Sequence, residues 1–127
     1  MSSYFPGQVI VTGSVTITNP GGSLDVTALA GNALTNVPDT TLTTIVTYTA
    51  PHAIHISQVT CSGTVYAKFQ LFLNTVLMET RRGGPERTVV FEFNNPLQLQ
   101  NGDILDVKVE QYNIGQTADF DSTVYGG

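Results

Sequence analysis

Thr64-Val65-Tyr66-Ala67-Lys68-Phe69-Gln70-Leu71-Phe72-Leu73 is the stretch that decides the fold. Val65, Ala67, Phe69, Leu71 and Leu73 alternate with Thr64, Tyr66, Lys68, Gln70 and Phe72. A period of two puts the first set on one face of a β-strand and the second on the other. Asn74-Thr75 can turn the chain into an antiparallel partner over Val76 to Thr80. Arg81-Arg82-Gly83-Gly84-Pro85-Glu86-Arg87 reads as a loop. Beyond it, Val89, Phe91 and Phe93 form an inward face that Asn94-Asn95-Pro96 breaks. Leu97 and Leu99 alternate up to a turn at Asn101-Gly102-Asp103. Leu105, Val107 and Val109 then alternate with Asp106, Lys108 and Glu110, and a last strand is expected between Thr117 and Tyr125.

The same period runs upstream. Residues 53–62 begin with Ile54 and Ile56 on one face and switch to Val59 and Cys61, which predicts a bulge near Ser57-Gln58. Residues 41–50 form a Thr-rich strand ending at Pro51. Residues 31–39 read as a linker, because Ala33-Leu34 gives at most a helical turn that Pro38 stops. Val9, Val11, Val15 and Ile17 share one face of a further strand. Asn19-Pro20-Gly21-Gly22 is a turn signal, and Leu24, Val26 and Ala28 follow it, so residues 9–30 read as one hairpin. No segment shows a 3.6 period over ten residues. Seven or eight strands with turns every 8 to 12 residues predict an all-β fold, a jelly-roll-like antiparallel β-sandwich. Its expected organisation is an N-terminal β-arm and linker over residues 1–37 and the sandwich over 38–127.

Charge narrows the function. Residues 1–67 carry no Lys or Arg and only two acids, Asp25 and Asp39. Charged residues make up 12 % of the chain, about half the usual share, and Thr, Ser, Asn, Gln and Gly fill the gap. A neutral polar surface of this kind suits a protein docked against other protein. The net charge is −5 and no basic stripe exists, so neither nucleic acid nor an anionic membrane is an expected partner. The single Cys61 cannot form an internal disulfide. The opening Met1-Ser2-Ser3-Tyr4-Phe5-Pro6 has neither a basic region nor an apolar core, so no secretory signal is expected and synthesis is assigned to a cytoplasm.

No residues assemble into an expected catalytic, cofactor-binding or metal site, and the chain is read as non-enzymatic. His52 and His55 are three apart at the start of a strand and point to opposite faces, a poor geometry for a shared metal. Asp103 and Asp106 flank a turn, and Asp119 and Asp121 share one strand face. With no EF-hand spacing, these are expected to cap turns and face solvent rather than hold Ca²⁺. Cys61 lies in the apolar phase with Val59 and is expected to be a buried thiol. The Gly83-Gly84 loop lacks the spacing of a phosphate cradle. It nevertheless holds Arg81, Arg82 and Arg87, three of the five bases in the chain. They read either as a local ion-pair set or as a clasp for acids across an interface.

Two stretches resemble segments of accessory virion proteins of tailed bacteriophages. Val11-Thr12-Gly13-Ser14-Val15-Thr16-Ile17-Thr18 is similar to the Gly-punctuated β-arms of fibre and capsid-decorating proteins. Pro96-Leu97-Gln98-Leu99 and Gly102-Asp103-Ile104-Leu105-Asp106-Val107, read together with Tyr66 to Phe69 and Arg82 to Arg87, are similar to late strands of jelly-roll domains. The resemblance implies a structural role in the virion, usually as a homotrimer, with no catalytic residues. On that reading Val9, Val11, Val15, Ile17, Arg81, Arg82 and Arg87 are the expected interface. The expected partners are other copies of the chain and the major capsid protein or other virion proteins. A tail-fibre or baseplate receptor-binding module and a carbohydrate-binding module are the alternatives. The exposed tyrosines would serve either of these, although the chain has no Trp.

Overall fold

The computed structural model describes residues 17–19, 22–24 and 27–127 of the chain. Ten strands follow one another with no helix between them: β1 (Ile17–Asn19), β2 (Gly22–Leu24), β3 (Thr27–Val37), β4 (Thr43–Thr49), β5 (Ile54–Gly63), β6 (Ala67–Leu73), β7 (Val76–Gly83), β8 (Val89–Leu99), β9 (Ile104–Gln111) and β10 (Ala118–Gly126). β1 and β2 pair with each other antiparallel, Ile17 opposite Leu24 and Asn19 opposite Gly22. The remaining strands form two antiparallel four-stranded sheets, in the orders β3-β10-β5-β8 and β4-β9-β6-β7. From β3 to β10 the chain changes sheet at every connection except the β6–β7 hairpin. That connectivity is the double Greek key of a jelly roll.

The alternation predicted from the sequence is the one the sandwich uses. Ala67, Phe69 and Leu71 of β6, Leu105, Val107 and Val109 of β9, Val89 and Phe91 of β8, and Phe120 and Val124 of β10 are all buried between the sheets. Phe69 and Phe120 meet edge to face across the core, ring centroids 5.8 Å apart. The predicted bulge in β5 sits at Ser57, which both neighbouring strands skip.

Three expectations are corrected. The stretch expected as a linker over residues 31–39 is mostly strand: β3 runs along β10 from Thr27 opposite Gly126 to Val37 opposite Ala118. The sandwich therefore begins at Thr27 and takes in residues assigned to the arm and linker 1–37. Gly31, Asn32 and Asn36 looked like loop residues because each is weak in a strand alone. In place, Asn32 donates from Nδ2 to the Ile45 carbonyl at 3.0 Å, and Asn36, at φ 57°, donates its N–H to Asp119 Oδ1 at 3.1 Å. Second, Arg81 and Arg82 lie in β7, not in the loop that follows it. Third, Asn94-Asn95-Pro96 does not end β8, although pairing with β5 lapses over residues 93–96, opposite Ser57. β8 is an edge strand, so the missing Pro96 N–H removes no ladder bond. Val9, Val11 and Val15 lie outside the described residues.

Truncating Phe120, which is 1 % exposed, opens a cavity beside Phe69 between the sheets. Phe120→Ala is expected to destabilise the domain by about 3–5 kcal/mol, read as a lowered urea midpoint with little change in slope.

Candidate functional site

The three arginines of the expected clasp do not lie on one face. Arg81 is paired with Phe69 in the ladder, so it leaves β7 on the core side, at the open mouth between the sheets. There its Nε bonds Glu79 and its Nη1 donates to the Val90 carbonyl at 3.1 Å, with the guanidinium 5.7 Å from the centre of the Phe91 ring. Arg81 is thus a stitch between edge strands β7 and β8. Arg82, one residue on, projects from the opposite face, beside Lys68.

Arg82 and Arg87 come together instead around a cleft of about 450 Å³ at this end of the sandwich, with Tyr66, Gly83, Gly84, Pro85 and Glu86 as its other walls. The loop is drawn tight by a turn in which the Arg87 N–H donates to the Gly84 carbonyl at 3.2 Å, with Pro85 at its second position. The two glycines allow close approach. A Cβ on Gly83 would stand 2.3 Å from Val89 Cγ2, and one on Gly84 would stand 3.4 Å from Tyr66 Cα. Tyr66, 54 % exposed, has its ring 6.3 Å from that of Tyr112, 41 % exposed. Neither Arg82 nor Arg87 has an ion-pair partner among the described residues.

A second groove, of about 430 Å³, lies against the first and shares Pro85 with it. Leu34 and Thr35 of β3, Ser62 and Thr64, and Asp119 and Asp121 of β10 line it. Its carboxylates are held in place: Asp119 Oδ1 accepts from the Asn36 N–H at 3.1 Å, and Asp121 Oδ1 from the Ser62 hydroxyl at 2.6 Å. The pairing of these two grooves was not legible in the chain, since their residues lie far apart in sequence and meet only through the sheet order.

The other candidates resolve into structure. Asp103 accepts from the Gln100 N–H at 2.8 Å and from Asn74 Nδ2 at 3.1 Å, and these bonds hold its carboxyl below the usual carboxylate range. It closes the turn before β9. Asp106 accepts from Thr47 Oγ1 at 2.6 Å. His52 and His55 are both exposed, the first beside the Ala53 carbonyl at 2.9 Å. Among the described residues no three His, Cys, Asp or Glu side chains gather as metal ligands. Gln111, fully buried, went unnoticed in the sequence. Its Nε2 donates to the carbonyls of Val37 (3.2 Å) and Gln116 (2.7 Å), and its Oε1 accepts from the Asn113 N–H at 2.9 Å. It fastens the end of β3 to the β9–β10 loop.

At the far end of β6 and β7, Val76 (65 % exposed), Leu77, Met78 and Ile104 gather around the hairpin turn as exposed large apolar side chains. No family model matches the chain, and no curated protein matches it.

Cys61 is buried beside Ser122, its Sγ 3.6 Å from the hydroxyl, and burial pushes the thiol up to about 12. A group whose proton is held more tightly when folded contributes stability below its ordinary value of 9.0, and that stability is lost as pH rises towards 12. Iodoacetamide at pH 8 is expected to leave the native thiol unlabelled and to label it fully in denaturant. Stability measured upward from pH 9 is expected to fall less in Cys61→Ala than in the parent.

Proposed function

We propose that this chain is a non-enzymatic structural protein of a bacteriophage virion. In this reading it is a capsid decoration or cement protein that associates with copies of itself, as a homotrimer, and with the major capsid protein. The observation that carries the reading is a jelly-roll sandwich preceded by a segment without a single Lys or Arg, whose described part pairs as a hairpin. A lone hairpin is marginal in water and needs a partner surface. Strand addition supplies one, main-chain hydrogen bonds giving register and the Val/Ile/Thr faces giving burial. Absence of charge fits such a segment, because charged residues are depleted at interface centres. The exposed apolar group around Val76 and Ile104 is also the kind of surface that an assembly covers.

One observation favours a second reading. The exposed Tyr66 and Tyr112 beside the Arg82/Arg87 cleft offer flat aromatic faces and hydrogen-bond donors, which would serve a receptor- or carbohydrate-binding module. A glycan-array signal lost in Tyr66→Ala would favour it.

Cosedimentation with capsids of the cognate phage tests the main reading. The parent is expected to pellet with capsids at saturating stoichiometry. Val11→Asp with Val15→Asp is expected to weaken occupancy by about tenfold or more while the thermal midpoint of the sandwich stays put. Failure of the parent to bind capsids would remove the decoration role.

A further inference from the structure

We propose that the Arg82/Arg87 cleft of one molecule receives the Asp119/Asp121 groove of another, in a contact between copies of this chain. The inference rests on the reading above only in requiring self-association; it does not depend on the capsid.

Elimination among the cations comes first. Lys68 pairs with Glu110 at 3.1 Å, Arg81 is bound to Glu79 and Val90, and Lys108 sits 4.8 Å over the Phe72 ring. Arg82 and Arg87 are the two left over, and both line one cleft. Every cation of the chain lies on β6, β7, β9 or the β7–β8 loop. The sheet β3-β10-β5-β8 has none and carries Glu92, Asp119 and Asp121. All the cations therefore lie on one side of the sandwich, beside Glu79, Asp106 and Glu110 of the same sheet, and the Arg82/Arg87 cleft, which also holds Glu86, adjoins the hollow lined by Asp119 and Asp121.

Within one molecule the two sets form no ion pair. Each aspartate nevertheless has one oxygen fixed by a hydrogen bond and the other without a partner among the described residues. Such carboxylates are already oriented for an incoming guanidinium. Arg and Tyr, the residues that dominate binding energy at interfaces, are concentrated on the other side of the contact.

The signs also limit the symmetry. A contact that set either hollow against its own copy would oppose Arg to Arg or Asp to Asp, so each cleft must meet the groove of another copy, either reciprocally about a two-fold axis between the hollows or head to tail. Heterologous contacts close into rings when the rotation allows. Because the two hollows share Pro85, a two-fold close to the β7–β8 loop would close both charge pairs at once, and a head-to-tail contact turning about that loop would close a small ring rather than a filament.

Sedimentation velocity of the full chain tests this, in about 0.05 M and about 1 M salt, which span strong and weak screening of exposed charge. Association is expected to weaken at high salt. Arg82→Glu with Arg87→Glu is expected to raise the dissociation constant by about a hundredfold, and Asp119→Lys with Asp121→Lys to do the same. The chain carrying all four substitutions is expected to associate again, since its signs are complementary once more. Asp119 and Asp121 also anchor Asn36 and Ser62, so Asp119→Asn with Asp121→Asn is run beside the lysine pair and must weaken association with its unfolding transition retained. Association of the arginine variant at parental strength would overturn the proposal, as would a four-substitution chain that stays as weak as either pair, or a monomeric parent in both salts. An arginine variant that keeps its oligomer but loses capsid binding would assign the cleft to an acidic surface of another protein and overturn the inference, leaving the virion role intact.

Discussion

The last described strand is one of the two inner strands of its sheet, and it is the one that holds β3. β10 lies between β3 and β5, pairing with both, so residues 118–126 must be in place before residues 27–37 have any sheet partner. Its inward side chains Ala118, Phe120, Ser122 and Val124 fill the core, and its outward carboxylates line the acidic groove. The strand's end is packed with no tolerance: a Cβ on Gly126 would stand 2.0 Å from the His55 carbonyl oxygen. Gly127 then exchanges two backbone hydrogen bonds with His55, at 2.9 and 3.2 Å. Pairings of such long sequence separation must overcome loop-closure entropy before they stabilise anything, which makes the fold intrinsically slow to form.

The opposite sheet has β9 in the equivalent inner place, between β4 and β6, and Gln111 at its end joins the two sheets. A buried amide with all its bonds made is rigid and specific, whereas one with a bond missing is costly. Gln111 meets that requirement with backbone groups of β3 and the β9–β10 loop. Nearby, the Gly115 N–H donates to Asp39 Oδ2 at 2.9 Å, and the Thr40 N–H to the Gln111 carbonyl at 3.1 Å. The loops at this end are thereby fixed to one another, close to Tyr112 and the arginine cleft.

Much of the sandwich was legible because burial between two sheets imposes a period of two, and β6, β9 and β10 obey it without interruption. The bulge at Ser57 was legible for the same reason, as a change of phase between Ile56 and Val59. β3 was not, because its pattern is broken by its own bulges and its residues are small or turn-forming; its strand character is supplied by β10. The site was less legible still. Arg81 and Arg82 separate because both lie in a strand whose successive side chains point to opposite faces. The acids that complement Arg82 and Arg87 come from the far end of the chain.

All four outer strands of the sandwich carry an irregularity. β3 has extra residues opposite Asp119 and again near Tyr125, and β4 has one at Ile45. β7 has one at Met78 followed by Glu79 and Arg81 on its inner side, and β8 has the lapse that contains Pro96. Bulges, prolines and inward charges are the means by which native sheets prevent edge-to-edge pairing. A molecule whose regular edges were open would polymerise by strand addition whatever its side chains. With those edges blunted, two routes to association remain, each of a different kind. A hairpin-forming segment outside the sandwich can donate strands to another protein. In the self-association proposed above, the sandwich meets a copy through side chains, and the scarcity of charge would give Arg82 and Arg87 against Asp119 and Asp121 control over which surfaces come together.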